Sequence, residues 1–159
     1  MYQQIEKIQQ IFIERRMTLA VAESLTGGNI QALLTAISGS SAYFSGGVTA
    51  YNLRQKVDIL GVDEANAAAC NCVSAQTAEE MAKGISVLMN TDFGVATTGY
   101  VSPTIEIEKA YAYISVYRRS DDSFVTFKSE NNKYVARPTS QAYFAKTALQ
   151  ALIERLGEK

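Results

Sequence analysis

The spacing of apolar residues changes along the chain from helical to strand periodicity and back. Apolar side chains recur every three or four positions over residues 2–16, which predicts an amphipathic helix. The continuous apolar run over residues 17–22 predicts a buried strand, and helical spacing returns over residues 29–37. The chain therefore begins with a helix, a strand and a second helix.

The rest of the pattern continues this alternation. Strands are predicted over residues 42–51, 92–98, 111–117 and 124–128, and helices over residues 52–60, 74–89 and 139–156. Residues 62–72 have no clear period. Interleaved helices and strands predict an α/β fold, and we expect a three-layer α/β/α sandwich with a mixed, mostly parallel sheet. The length of 159 residues suits one domain over residues 1–159.

Composition and charge narrow the possible partners. Hydrophobic residues make up 47% of the chain and charged residues 19%, as in soluble globular proteins. The net charge of −1 and the absence of a basic block argue against a nucleic acid partner. No apolar run approaches the ~20 residues of a membrane span, and residues 1–6 lack the apolar core of a signal peptide. We therefore expect no membrane partner and a cytoplasmic location.

Histidine is absent from the sequence. This excludes Ser-His-Asp and Cys-His catalysis and the HExxH zinc motif. Cys70 and Cys72 have neither CxxC nor zinc-knuckle spacing, and we interpret them as reduced thiols. No metal or other cofactor is expected. A serine enzyme built from this chain needs another base, and lysine is the leading candidate because Ser-Lys pairs are an established variant.

Three places combine hydroxyls and glycines near the ends of predicted strands, where open α/β sheets bind ligands. They are residues 22–28 with Ser24, residues 40–56 with Ser41, Gly46, Gly47, Tyr51 and Lys56, and residues 97–99. In a wound sheet they could converge on one crevice. Arg137, just before the last predicted helix, could reach a phosphate or a carboxylate, or could be a surface arginine.

Each of these candidates also has a simpler structural interpretation. Ser24 and the glycines after it form an anion-binding helix start, the turn of a nucleophile, or only a tight turn. Lys56 is a base made neutral by burial or a solvated helix lysine. Tyr51 is either a second hydroxyl beside Lys56, together with Ser24, or a half-buried strand aromatic. Residues 46–47 offer N–H donors to an oxyanion or form a bulge.

Several stretches carry a family resemblance. They are AESLTGG over residues 22–28, SGSSAYFSGGVTAYN over residues 38–52, Lys56, LGV over residues 60–62, Val73-Ser74, Thr77-Ala78, Met81-Ala82, Gly84, Thr98-Gly99, Arg137 and Ala148-Leu149. Together they resemble the CinA C-terminal domain family, the nicotinamide-nucleotide amidohydrolases or NMN deamidases. The likeness covers nearly the whole chain and is most specific in its first half.

The resemblance implies hydrolysis of the carboxamide of nicotinamide mononucleotide to nicotinic acid mononucleotide and ammonia, without a metal. The serine that matches Ser24 is the nucleophile, the lysine that matches Lys56 is its base, and the tyrosine that matches Tyr51 assists. Further residues are expected to bind this small nucleotide substrate or its oxyanion: Thr26, Gly27, Gly28, Ser41, Gly46, Gly47, Thr98, Gly99 and Arg137. The resemblance also implies a homo-oligomer.

The chain departs from the family pattern after residue 99. The Gly-Pro-Gly-Gly-type loop and the Lys-Pro-Val-Gly-type strand entry are missing from residues 100–109, which carry Glu106 and Glu108, and Gln141 replaces the second C-terminal arginine. This rebuilt loop motivates an alternative, a non-catalytic or regulatory nucleotide-binding homologue. The family's frequent molybdopterin-cofactor-binding-like module has no counterpart in these 159 residues, so we expect a stand-alone form.

Overall fold

A computed structural model describes residues 2–131 and 135–157. The helices in this part of the chain are α1 (Tyr2–Glu14), α2 (Asn29–Thr35), α3 (Leu53–Leu60), α4 (Glu64–Ala69), α5 (Ala75–Met89) and α6 (Arg137–Gly157). The strands are β1 (Leu19–Glu23), β2 (Phe44–Thr49), β3 (Phe93–Tyr100), β4 (Ala110–Arg118) and β5 (Ser123–Asn131). None of the described helices is both long and apolar enough to cross a bilayer.

The strands form one sheet in the order β2-β1-β3-β4-β5. β1 pairs in parallel with both β2 and β3, whereas β4 is antiparallel to β3 and to β5. Among the described strands, β4 alone therefore runs against the others. The predicted mixed, mostly parallel sheet is confirmed.

Helices cover both faces of this sheet. On one face, Val21 and Val95 belong to a buried cluster with apolar residues of α1, α2 and α6. On the other face, Ala20, Ala22 and Ala96 are buried with residues of α3, α4 and α5. Neighbouring residues of one strand thus serve opposite layers, as strand geometry requires. The predicted three-layer α/β/α sandwich is confirmed.

Small residues allow α5 to lie close to the strands. Gly94 of β3 faces this helix, and a Cβ atom at Gly94 would overlap the carbonyl oxygen of Ala82. The fully buried Ala20, Ala22 and Ala96 add only methyl groups to the same face. The layer of α3, α4 and α5 is therefore held against the strands whose carboxyl ends carry the candidate site.

The helix α4 differs from the sequence-based prediction, whereas the other elements agree to within a few residues at their ends. Its sequence, EANAAA, buries only Ala67, so it has no apolar period to reveal it. The helix is stabilised at its start by Asp63, whose side chain accepts the N–H of Asn66 at 2.7 Å. Asp63 was therefore an available N-cap signal for this helix, although the periodicity of its residues could not indicate it.

Candidate active site

Ser24 lies at the carboxyl end of β1, in the turn that leads to α2. The side chains of Ala20 and Ala22 face the α5 layer, and strand alternation directs Ser24 to the same side. The carbonyl of Ser24 accepts the N–H of Gly27 at 3.0 Å, and Gly27 has a left-handed φ of 61°. This glycine turn fixes the serine, of which 8% is exposed.

Lys56 extends from α3 into the same layer. The helix begins after Asn52, whose side chain accepts a backbone N–H at 3.0 Å, and ends at Gly61 in a left-handed conformation. Only 2% of Lys56 is exposed. Its Nζ lies 3.0 Å from Ser24 Oγ and donates to the carbonyl oxygen of Ala50 at 2.8 Å. The structure therefore brings Ser24 and Lys56 together, and Lys56 is not a solvated helix lysine.

Burial lowers the pKa of the Lys56 ammonium below its ordinary value of 10.5, because the charged form loses hydration. The nearby Cys72 thiol offsets part of this effect, since its thiolate would favour the ammonium. The net result makes the neutral amine more available than in a surface lysine. A neutral amine at this distance can accept the hydroxyl proton of Ser24.

Ser24 and Lys56 line a cleft of about 570 Å³, a volume typical of small-molecule sites. The lining residues are Ser24, Leu25, Tyr51, Asn52, Leu53, Lys56, residues 71–73, residues 98–104 and Arg137. Lys56 and Arg137 are the charged side chains in this described lining. Nowhere in the described ranges do three or more His, Cys, Asp or Glu side chains gather as metal ligands.

Tyr51 and Arg137 meet at the exposed side of the cleft. Arg137 Nη2 donates to the Tyr51 hydroxyl at 2.7 Å, which joins the start of α6 to the segment between β2 and α3. Tyr51 is 55% exposed. In the described residues its hydroxyl bonds to Arg137 and to neither Ser24 nor Lys56. The structure thus brings Tyr51 to the cleft but leaves it outside the Ser24–Lys56 hydrogen bond.

Thr98 and Gly99 lie where β3 reaches the cleft. The Thr98 hydroxyl donates to the carbonyl oxygen of Cys72 at 2.6 Å and thereby holds the segment before α5 against the sheet. A Cβ atom at Gly99 would overlap the carbonyl oxygen of Tyr111, so only glycine fits there. Both residues line the cleft, and both also have a structural reason for their identity.

Six of the expected substrate-binding residues are not part of the cleft lining: Thr26, Gly27, Gly28, Ser41, Gly46 and Gly47. Ser41 is exposed in a 3-10 turn at the start of β2, at the opposite end of the strand from the cleft. Gly46 and Gly47 pair with Ala20 and Val21, well before the end of β1. A Cβ atom at Gly47 would approach Val21 Cγ2 to 2.6 Å, which explains this glycine by packing.

Glu23 anchors the turn between β1 and α2, and it was not singled out from the sequence. Its fully buried carboxylate accepts the backbone N–H groups of Gly28, Ile30 and Gln31 at 2.9, 3.1 and 2.9 Å. The start of α2 is therefore occupied by the chain's own anion. This geometry corrects the interpretation of residues 24–28 as an anion-binding helix start. The fully buried Thr26 hydroxyl lies 2.8 Å from that of Thr97.

Replacement of Glu23 by alanine is expected to destabilise the protein by about 3 kcal/mol, because three backbone N–H groups lose a charged acceptor. For a domain of this size, the expected decrease in Tm is about 6–12 °C. Thermal unfolding followed by circular dichroism measures this change. Glu23→Gln keeps one acceptor oxygen, so its Tm should fall between those of the wild type and Glu23→Ala. Glu6→Ala, on the exposed face of α1, should leave Tm unchanged. Equal Tm values for Glu23→Ala and Glu6→Ala would contradict the role of this carboxylate.

Asn71 and Tyr100 complete the cleft and were also missed from the sequence. Asn71 Nδ2 donates to the Tyr100 hydroxyl at 2.9 Å across a separation of 29 residues. Asn71 and Cys72 have left-handed φ values of 51° and 61°. Asparagine between two cysteines was an available signal, because it tolerates this conformation better than most residues. Its partner could be found only from the folded structure.

The comparisons with known proteins agree with this fold. The model of the CinA C-terminal domain family matches residues 2–156. A CinA-like protein of Synechocystis sp. is 51% identical over 90 residues, which cover 57% of this chain and 22% of that protein. A CinA-like protein of Flavobacterium psychrophilum is 32% identical over 138 residues, which cover 84% of this chain and 33% of that protein. This chain thus spans about a fifth to a third of the length of these relatives.

A solved structure of the competence damage-inducible protein A from Klebsiella pneumoniae has the same fold. It superposes with a TM-score of 0.89 at 26% identity and covers 99% of this chain and 97% of the other. The family model covers almost every described residue. The chain therefore belongs to the CinA C-terminal domain family.

Proposed function

We propose that this chain is an amidohydrolase that deamidates nicotinamide mononucleotide, or a closely related amide, with Ser24 and Lys56 as its catalytic pair. The observation that carries the proposal is the 3.0 Å distance between Lys56 Nζ and Ser24 Oγ in a nearly buried pair. Family membership supports the same reaction class, because the family resemblance rests on the stretches that contain both residues.

The proposed reaction has two halves. In the first half, Ser24 Oγ attacks the amide carbon, and Lys56 accepts the hydroxyl proton. The C–N bond breaks, Lys56 returns the proton to the leaving nitrogen, and ammonia departs from an ester on Ser24. In the second half, water gives a proton to Lys56 and attacks the ester, which releases the carboxylic acid and restores the serine hydroxyl. No group outside the chain, the amide and water is required.

The charge of the cleft supports an anionic substrate. Arg137 stands at its exposed side, and no carboxylate belongs to the described lining. A guanidinium binds a phosphate through paired N–H donors. In this proposal, the phosphate of the nucleotide binds N–H groups of Arg137 that do not donate to the Tyr51 hydroxyl, while the carboxamide reaches Ser24. Tyr51 then assists by keeping the guanidinium directed along the cleft.

Ammonia release from nicotinamide mononucleotide tests this function directly. The purified protein is expected to form ammonia and nicotinic acid mononucleotide in equal amounts, measured by an enzyme-coupled assay and by chromatography. An exposed loop that replaces the family pattern at residues 100–109 favours the second candidate, a nucleotide-binding homologue without catalysis. Thermal stabilisation by the nucleotide with no product would support that candidate and contradict the amidohydrolase proposal.

Replacement of Arg137 by alanine is expected to raise KM for nicotinamide mononucleotide about tenfold, which corresponds to ~1.4 kcal/mol of lost binding. The value of kcat should stay within about threefold, because the phosphate is remote from the reacting carbon. Steady-state kinetics with the nucleotide and with nicotinamide riboside, which lacks the phosphate, measures the effect. The riboside should show no change. Arg54→Ala, in an exposed ion pair on α3, is the matched control; a wild-type KM in Arg137→Ala would exclude this phosphate contact.

A further inference from the structure

Tyr100 ends strand β3 and lines the same cleft as Ser24. In the parallel pair β1–β3, Ala22 is opposite Ala96, and Ser24 and Thr98 each come two residues later. Tyr100 is two residues beyond Thr98 on the same side of the strand, which separates their Cα atoms by about 7 Å. Ser24, Thr98 and Tyr100 all line the cleft, so Tyr100 forms the part of its lining that lies one side-chain position beyond Thr98.

Two contacts fix the ring of Tyr100. Its hydroxyl accepts the Asn71 amide N–H at 2.9 Å, and its ring meets the ring of Tyr111 at a centroid distance of 5.5 Å and an angle of 61°. Tyr100 and Tyr111 are direct cross-strand partners, so the backbone sets this edge-on arrangement. Asn71 reaches Tyr100 from the layer of α3, α4 and α5, since its segment joins α4 to α5.

Tyr111 is itself held on its other side. The Nζ of Lys128 lies 4.2 Å from the centroid of the Tyr111 ring, and the ring of Tyr113 meets Tyr111 at 6.1 Å. Tyr113 belongs to this row but not to the described cleft lining. Tyr100 is thus the cleft-facing end of a fixed aromatic row, and a rigid ring at a cleft wall favours flat aromatic ligands over flexible aliphatic ones.

We propose that Tyr100 determines specificity by packing against the planar aromatic acyl group of the substrate amide, and that Asn71 is the positioning residue that holds it there. The inference rests on the proposed amidohydrolase function and names the part of the substrate that this wall recognises. In this proposal, the segment after Gly99 recognises the aromatic part of the substrate, and Arg137 recognises its phosphate.

Tyr100→Leu keeps an apolar side chain of moderate size but removes the aromatic ring. KM for nicotinamide mononucleotide is expected to rise about tenfold, with kcat within about threefold of the wild type. Tyr100→Phe keeps the ring and should raise KM by no more than about threefold. Asn71→Gly accommodates the left-handed backbone, removes the amide, and should raise KM by about threefold with kcat unchanged. Tyr2→Leu removes an exposed ring of α1 that lies outside the cleft lining and outside this row, and it should match the wild type.

Ligand NMR provides a readout that does not depend on turnover. In the Ser24→Ala variant, the pyridine protons of bound nicotinamide mononucleotide should shift upfield, because they lie against an aromatic ring. Adding Tyr100→Leu to this variant should abolish the shift, and adding Tyr2→Leu should leave it intact.

The outcomes distinguish the proposed role of Tyr100 from the proposed amidohydrolase function. Equal KM values and ring shifts for Tyr100→Leu and Tyr2→Leu would overturn the role of Tyr100 while the amidohydrolase function stands. Binding with a Tyr100-dependent ring shift but without ammonia release would support recognition by Tyr100 and overturn the amidohydrolase proposal. Absence of binding to the wild-type protein would overturn both.

Discussion

Replacement of Ser24 by alanine is expected to lower kcat/KM for nicotinamide mononucleotide by at least about 10³-fold, because no acyl-enzyme can form without the hydroxyl. The distance of 3.0 Å to Lys56 Nζ places the proton acceptor at the oxygen that must attack. Binding of the substrate should persist in the variant, because Arg137 and Tyr100 remain in place. Ammonia release under steady-state conditions measures the loss, and calorimetric titration measures the retained binding.

The stability of the Ser24 variant provides its internal control. The substitution removes one hydrogen bond, which contributes about 1 kcal/mol, so Tm should change by no more than about 2–4 °C. Ser45→Ala removes an exposed hydroxyl of β2 outside the cleft lining and should keep full activity. A Ser24→Ala protein that folds normally and retains more than about a tenth of the wild-type rate would falsify covalent catalysis by this serine.

Replacement of Lys56 by methionine is expected to lower kcat by about 10³-fold, within the range that a general base contributes. Methionine matches the length of the buried part of lysine but cannot accept a proton. It removes a buried ammonium, which stabilises the fold, and leaves the Ala50 carbonyl without its donor at 2.8 Å, which destabilises it. These effects oppose each other, so the variant should fold, and its Tm measures the balance.

The pH dependence of the proposed activity tests whether Lys56 is the base. Burial lowers the pKa of Lys56 below 10.5, and only the neutral amine accepts the Ser24 proton, so kcat/KM should rise with pH through this lowered pKa and then level off. The residual activity of Lys56→Met should lack this rise. Lys83→Met, in an exposed ion pair with Asp122, is the matched control and should keep the wild-type profile. The same rise in Lys56→Met as in the wild type would assign the base to another group.

The fold and the proximity of Ser24 to Lys56 could be predicted from the sequence because each rests on a local signal. The interleaving of strand and helix periods gave the three layers, and the absence of histidine directed attention from Ser24 to Lys56. Residues 24 and 56 are 32 positions apart, but each follows a strand at the same edge of the sheet. The carboxyl ends of parallel strands meet there, so local signals were sufficient.

The residues that could not be predicted depend on contacts between distant segments. Gly47 was interpreted as an oxyanion donor, but its identity follows from the close approach of Val21 in the neighbouring strand. Tyr100 and Asn71 became partners only through the fold. Ser41 and the glycine pair share a sequence stretch with Tyr51, yet the length of β2 separates Ser41 from the cleft. Proximity in sequence therefore suggested a larger site than the geometry brings together.

The position of Glu23 immediately before Ser24 has a consequence for the activation free energy of the proposed reaction. Its carboxylate is anchored by three N–H groups of α2, and the next residue in the chain is Ser24. The orientational entropy of the attacking oxygen is therefore lost when the chain folds, not when the substrate arrives, so the activation free energy of the proposed reaction does not contain it. Evolutionary pressure for a stable helix start and for a correctly aimed serine consequently acts on one and the same side chain.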